Sequence, residues 1–188
     1  MGVMGLRTTL KREPAAPNVA PDFRELFETQ FSYLWHALKR LGVAERDLED
    51  LVQQVFIQVH GQLPKFDSRR PLRPWLFSFA YNAASNYRAL SRHRLELSIV
   101  APEQTCPRAA ADEQLITRQE LELAELALSH VRLDRRAVLL LHEVEGHSMP
   151  EIAESLNIPL NTAYSRLRLA REEYEQAVKR MRAQRGEE

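Results

Sequence analysis

Residues 148–174 read SMPEIAESLNIPLNTAYSRLRLAREEY, and their punctuation permits few folds. Ser148 followed by Glu151 fits a capping box, in which each side chain serves a backbone N–H that the first helical turn leaves unpaired. Ile152, Ala153 and Leu156 then form one apolar face, and a residue as small as Ala153 lets another helix cross closely. Asn157 stands where the chain must turn, because asparagine tolerates the left-handed conformation better than most residues. Pro159 prevents the first helix from continuing. A second helix buries Ala163, Leu167, Ala170 and Tyr174, spaced four, three and four. Thr162, Ser165, Arg166, Arg168, Leu169 and Arg171 stay outside or on the flanks, with Thr162, Ser165 and Leu169 on one side and Arg168 alongside. Such a polar array is what a recognition helix offers to a major groove, where arginine pairs with guanine and hydroxyls serve base edges or phosphates. An ordinary helical hairpin with a solvated arginine face is the competing reading; cap, turn, small crossing residue and polar face together favour the DNA reader.

Upstream, apolar residues recur from Phe23 at Phe27, Phe31, Leu34, Leu38 and Leu41, the period of one helix face, and Gly42 ends that helix. VAERD opens a second helix with Leu48, Leu51, Val52, Val55, Phe56 and Val59 along its stripe. GQLPKFDSRRPLRP carries a glycine and three prolines and reads as a loop. A third helix follows at WLFSFAYNAASNYRALSRH, with Pro74 suited to its first turn and Leu76, Phe79 or Ala80, Ala83 and Tyr87 facing inward. The periodicity lapses over ELSIVAPEQTCPRAAAD and returns at EQLITRQELELAELALSHV and DRRAVLLLHEVEG. No alternating strand pattern competes. The expected fold is all-α: two small helical domains, 22–95 and 113–183, joined by a flexible linker over 96–112 and preceded by a flexible extension, 1–21.

The chain carries 26 basic and 26 acidic residues, so net charge gives no argument for nucleic acid, and the distribution must. Base gathers at RRPLR and RALSRHR, and again at SRLRLAR and KRMRAQR; acid gathers at ERDLED and along 112–125. A single cysteine, Cys106, excludes an internal disulfide and an all-cysteine metal site. No apolar run approaches the roughly 20 residues of a membrane helix, and the N-terminus lacks the apolar segment of a secretory signal, so a cytoplasmic protein without membrane insertion is the default. HEVEGH, 142–147, looks like a zinc-protease motif but fails as one. His142 and His147 are five residues apart, roughly 140° around a helix, and Gly146 interrupts it. No phosphate loop or nucleophile elbow is present; no metal, no cofactor and no enzyme activity are expected.

DLEDLVQQVFIQVH, followed by PLRPWLFSFAYNAASNYR, resembles regions 2.2 to 2.4 of the extracytoplasmic-function (group IV) bacterial sigma factors. RRAVLLLHEVEGHSMPEIAESLNIPLNTAYSRLRLARE resembles their region 4. The two signatures occur in the family's order and span nearly all of 22–183. The resemblance implies a subunit that binds core RNA polymerase, directs it to −35 and −10 promoter elements and helps open the duplex. A stand-alone helix-turn-helix regulator is the alternative, and it leaves the first block without a role.

The resemblance also assigns residues. Asp47, Glu49, Asp50, Gln53 and Gln54 would face the clamp helices of the largest polymerase subunit, although the acids also suit a helix N-terminus. Phe66, Asp67, Ser68 and Arg69 lie on the loop resembling the family's base-capturing loop, and Asn82, Ser85, Asn86, Arg88 and Arg92 on the helix after it, for the −10 element. Trp75 matches a tryptophan at the helix start and reads as core before DNA stacking. Asn161, Thr162, Tyr164, Ser165, Arg166, Arg168 and Arg171 would read the −35 element. NTAYSRLRLAR departs from the family's usual GTVKSRLxRAR at Asn161, Tyr164 and Leu169, so its −35 sequence cannot be borrowed. Further partners implied are promoter DNA, the flap of the second-largest polymerase subunit, and an anti-sigma factor wedged between the domains.

Overall fold

The computed structural model describes residues 21–97 and 112–185; the extension 1–20, most of the expected linker and the side chain of Arg92 lie outside the described residues. Seven α-helices and no strand occur among the described residues. They are α1 (Phe23–Arg40), α2 (Leu48–Gln62), α3 (Leu72–Leu97), α4 (Asp112–His130), α5 (Leu133–Leu139), α6 (Met149–Ser155) and α7 (Leu160–Arg185). A 3-10 turn, Glu45–Asp47, leads into α2, another, Leu63–Lys65, follows it, and a π-helical turn, Leu140–Val144, extends α5.

Local chemistry explains the ends. Asp22 caps α1 by accepting the Glu25 N–H at 3.2 Å, and Lys39 and Arg40 close it where the helix dipole favours cations. Gly42 then takes φ 93°, so that Val43 N–H reaches Leu38 O and Gly42 N–H reaches Lys39 O. This glycine-dependent crossover satisfies carbonyls the helix end would otherwise orphan. Asn157, at φ 51°, does the same for α6, with Ile158 N–H on Ala153 O. Of the two turns, one uses glycine's freedom and the other asparagine's tolerance. The loop expected over 61–74 is shorter: α2 runs through Gly61, and α3 already begins at Leu72 with Pro74 in its first turn.

Helices α1, α2 and α3 pack pairwise around Leu34, Leu38, Val52, Val55, Phe56, Leu76 and Phe77. The inward face of α3 is wider than its sequence period suggests. Phe77 and Ala84 are fully buried beside Leu76 and Ala80, while Phe79, Ala83 and Tyr87 are only partly covered. The physical reason is that α3 is covered on two sides, by α1 and α2 and by α6. Helices α4, α5 and α6 pack on α7 through Ala137, Ile152, Ala153, Ala163, Leu167 and Ala170, and Leu123, Ala127, Ala177 and Met181 form a second cluster between α4 and α7.

One apolar core runs through both groups, so they do not stand apart in this structure. Polar links reinforce the join. Arg136, 2% exposed, donates to Ser129 O at 2.7 Å, to Val131 O at 2.8 Å and to Arg40 O at 3.3 Å, tying the α4–α5 turn to the end of α1. A side chain at position 42 would meet Arg136 Nη1 at 3.0 Å, a second reason for glycine there. Burial first, and the charge of Arg88 second, hold the Arg136 guanidinium down at about 10. The Tyr33 hydroxyl donates to Glu145 at 2.9 Å, and Arg70 of the loop before α3 pairs with Glu154 of α6.

Candidate nucleic-acid interface

The turn-flanked pair α6 and α7 is built as its sequence suggests. The Glu151 carboxylate takes the Ser148 backbone N–H at 2.9 Å and its hydroxyl at 2.7 Å, closing the capping box, and those bonds hold Glu151 below the usual carboxylate range. Ile152, Ala153, Ala163, Leu167 and Ala170 are buried, with Leu156 and Tyr174 packed against the same core. The opposite face of α7 carries exposed Asn161, Tyr164, Ser165, Arg168 and Arg171; Thr162 and Arg166 are half-buried on its flanks.

Its cations are already engaged. Arg168 Nη1 lies 2.6 Å from Glu172, Arg171 Nε 2.9 Å from Glu143, and Arg166 Nε 3.6 Å from Asp134. Arg135 pairs with Glu173 within the fold. Those carboxylates offset the positive charge of the recognition helix locally. Phosphate contact here is an exchange of one anion for another. Ser165 Oγ donates to Asn161 O at 2.9 Å, a helical back-bond that leaves its oxygen free to accept.

The loop before α3 is closed by its own chemistry. Asp67 accepts from the Arg69 backbone at 3.1 Å and from its guanidinium at 2.8 and 2.6 Å, which holds the carboxyl down at about 2. Ser68 and Arg69 are exposed, whereas Phe66 is 4% exposed, its ring 4.6 Å from that of Trp75. Trp75 in turn meets Phe79 edge-on at 4.9 Å, so the tryptophan sits in an aromatic stack. Along α3, Asn82 and Asn86 are exposed one turn apart, with Ser85 and Arg88 half-buried beside them. Arg88 Nη1 is buried without a hydrogen-bond partner.

On α2, Glu49, Asp50, Gln53 and Gln54 are exposed, while Asp47 is partly covered and accepts the Tyr87 hydroxyl at 2.7 Å. Sequence reading missed Ile57, 72% exposed, which continues the stripe of Asp50, Gln53 and Gln54. An apolar residue three and four positions beyond two glutamines, off the buried period, was the available signal. It also missed the Tyr33–Glu145 pair and the exposure of Leu160, which depend on how the helices meet. Among the described residues no three His, Cys, Asp or Glu side chains gather as metal ligands; His142 Nδ1 instead lies 3.0 Å from His147 O. No helix of the described residues is long and apolar enough to cross a membrane.

The Sigma-70 region 2 family matches residues 26–94, and the Sigma-70, region 4 family matches residues 121–173. The chain is 30% identical over 153 residues to the RNA polymerase sigma factor NccH of Alcaligenes xylosoxydans xylosoxydans, covering 79% of this chain and 82% of that one. It is 30% identical over 158 residues to the ECF RNA polymerase sigma factor SigL of Mycobacterium tuberculosis, covering 83% and 88%. The solved structure of CnrH in complex with the cytosolic domain of CnrY superposes with a TM-score of 0.59 at 25% identity, over 84% of this chain and 87% of that chain. The chain therefore belongs to the sigma-70 family, in its extracytoplasmic-function group, as a sigma factor that directs promoter-specific initiation by RNA polymerase.

Proposed function

We propose that the labour divides along the exposed faces just described. The acidic and amide face of α2, Glu49, Asp50, Gln53 and Gln54, docks on the clamp helices of polymerase. The loop over Asp67, Ser68 and Arg69 and the α3 face of Asn82, Ser85 and Asn86 take the −10 element as it melts, with Phe66 anchoring the loop to Trp75, and Arg88 and Arg92 are assigned to phosphates by the family resemblance. Uncharged amides suit that task, since unpaired bases offer edges that asparagine can meet. Helix α7 enters the major groove of the −35 element. The observation that carries this assignment is its outward polar face behind a closed capping box and a left-handed Asn157. In this reading the chain makes and breaks no covalent bond itself, needs no cofactor, and works in the cytoplasm beside polymerase. An anti-sigma factor is a further partner, by likeness to the CnrH complex.

The two DNA readers touch each other here, through Arg70 and Glu154 and the packing of α3 on α6. Elements centred at −35 and −10 lie about 25 base pairs, or about 85 Å, apart along B-form DNA. The arrangement described is therefore a closed one, and α6–α7 must leave α3 before both elements are engaged.

The test is transcription from fragmented genomic DNA by purified chain and bacterial core polymerase, with mapped 5′ ends. Core-dependent starts sharing upstream −35 and −10 motifs are expected. Sequence-specific DNA binding by the chain alone, with no core binding and no new starts, would instead identify a stand-alone regulator.

A further inference from the structure

The first two turns of α7, LNTAYSRL, present less charge than the arginine-rich helix as a whole. Leu160 is 42% exposed and Tyr164 53% exposed, and neither packs against an apolar cluster. Four residues apart, they stand one above the other on the helix surface. Asn161 and Ser165 stand beside them, both exposed. The Ser165 hydroxyl hydrogen is spent on Asn161 O, Arg166 is turned toward Asp134, and Arg168 stands one turn beyond Tyr164 on Glu172. What these turns offer outward is an aliphatic side chain, a phenol ring and a carboxamide.

Exposed apolar side chains cost solubility and contribute nothing to this core, so their position at the reading end of a recognition helix calls for an apolar counterpart. The N-terminal residues of the second helix are those that reach base edges. The apolar group displayed in the major groove is the C5 methyl of thymine, and the pairing natural to a carboxamide is the N6/N7 edge of adenine.

We infer that Leu160 and Tyr164 read thymine methyl groups in the −35 element, with Asn161 on a neighbouring adenine. The segment under the first two turns of α7 is then a short run of A·T pairs, and any guanine contact falls to Arg168 on its far side. This rests on α7 being the −35 reader. It also accounts for Tyr164 and Asn161 standing where the family's usual sequence has lysine and glycine: the chain substitutes methyl and adenine recognition for a cationic contact.

The experiment uses the full chain with core polymerase on a promoter found by transcript mapping. Each −35 thymine is replaced in turn by deoxyuridine, which removes the methyl and keeps the pairing. Loss of about four-fold in affinity at one or two positions is expected, the burial of one methyl-sized group expressed as a ratio. That sensitivity disappears in Tyr164→Ala or Leu160→Ala and survives in Tyr164→Phe, which keeps the ring. Deoxyuridine without effect at every position, while thymine-to-guanine changes still weaken binding, would overturn methyl reading and leave α7 as the −35 reader. Indifference to every −35 change would overturn the underlying assignment as well. Weaker binding of Tyr164→Ala to core polymerase without DNA would also overturn the proposal, by giving the patch a protein partner.

Discussion

The two halves of this chain prepare for DNA in opposite ways. The α1–α3 half is built on large side chains, Leu34, Leu38, Phe56, Leu76 and Phe77 among them, and its candidate base contacts on α3 are neutral amides and a hydroxyl. The α4–α7 half is slimmer, with Ala127, Ala137, Ala153, Ala163, Ala170 and Ala177 letting helices approach closely, and it presents arginines already paired with carboxylates. Duplex DNA is a dense line of phosphates, and a reader of duplex exchanges intramolecular anions for those. Melted bases offer hydrogen-bonding edges and ring faces, and a reader of single strand needs a rigid platform for them beside the charge that holds the backbone. Within the closed arrangement the halves are joined by a shared core and by Arg136, a cation satisfied by carbonyl groups alone.

The largest effect is expected at that join. Arg136→Met keeps an apolar stem but leaves one buried carbonyl, Val131 O, and two part-buried ones, Ser129 O and Arg40 O, without this donor. At about 1–3 kcal/mol for a buried polar group left unmade, a loss of about 3 kcal/mol in urea unfolding is expected. A change under about 1 kcal/mol would mean that water replaces the guanidinium and that the halves are joined by apolar packing alone.

Next in size is Arg168→Ala, expected to cost about 1–3 kcal/mol at one preferred base pair of the −35 element and little elsewhere. Asn82→Ala should spare duplex binding and slow promoter opening, measured by permanganate reactivity of the melted strand. Equal weakening by Arg168→Ala on every −35 variant would make it a phosphate contact and blur the contrast between the halves.

Smaller effects come from releasing the paired cations. Glu172→Gln frees Arg168 and Glu154→Gln frees Arg70; pairs this exposed are worth about 0.2–1 kcal/mol. Both variants are expected to bind promoter DNA less than ten-fold more tightly, with Glu172→Gln acting on isolated −35 duplex and Glu154→Gln only where both elements are present. Equal gains on both DNAs would show that α6 does not hold the −10 loop closed.

The smallest effect is one of pH. Burial pushes the Glu145 carboxyl above the ordinary glutamate range, and the Tyr33 hydroxyl, His147 and Arg73 pull it only part of the way back. A carboxyl with a raised folded pKa favours the native state most below its unfolded pKa, and that contribution is lost as pH rises through the folded value. Glu145→Gln cannot ionise and keeps an acceptor for Tyr33. Its melting temperature is expected to rise relative to the unmodified chain as pH increases above the ordinary glutamate range. A constant difference over that increase would mean that Glu145 is hydrated.

Much of the local structure was legible in residue order. Pro159, Asn157 and the Ser148–Glu151 pair state where α6 begins and ends, because caps and left-handed turns depend on the residue and its near neighbours. The buried set on α7 was legible too, since a helix with one covered face shows the plain period of that face. On α3 the same logic falls short: Phe77 and Ala84 are buried beyond the expected inward set, and no period within α3 encodes its packing against helices elsewhere in the chain, α6 among them, more than fifty residues further along. The candidate site divides the same way. The identities on α7 were readable, but their engagement by Glu143, Asp134 and Glu172 was not, nor was the burial of Phe66 against Trp75.

By itself the sequence determined an all-α chain with a tight two-helix turn, a polar face on its second helix and two separated basic zones, since period, caps and turn residues act over a few positions. Only the tertiary structure decided that both halves share one core, that Arg70 and Arg171 pair with the sequence-distant carboxylates of Glu154 and Glu143, and that Leu160 and Tyr164 face solvent. Burial and charge pairing belong to whichever surfaces meet, and those are set by packing among elements, not by the order of residues within one.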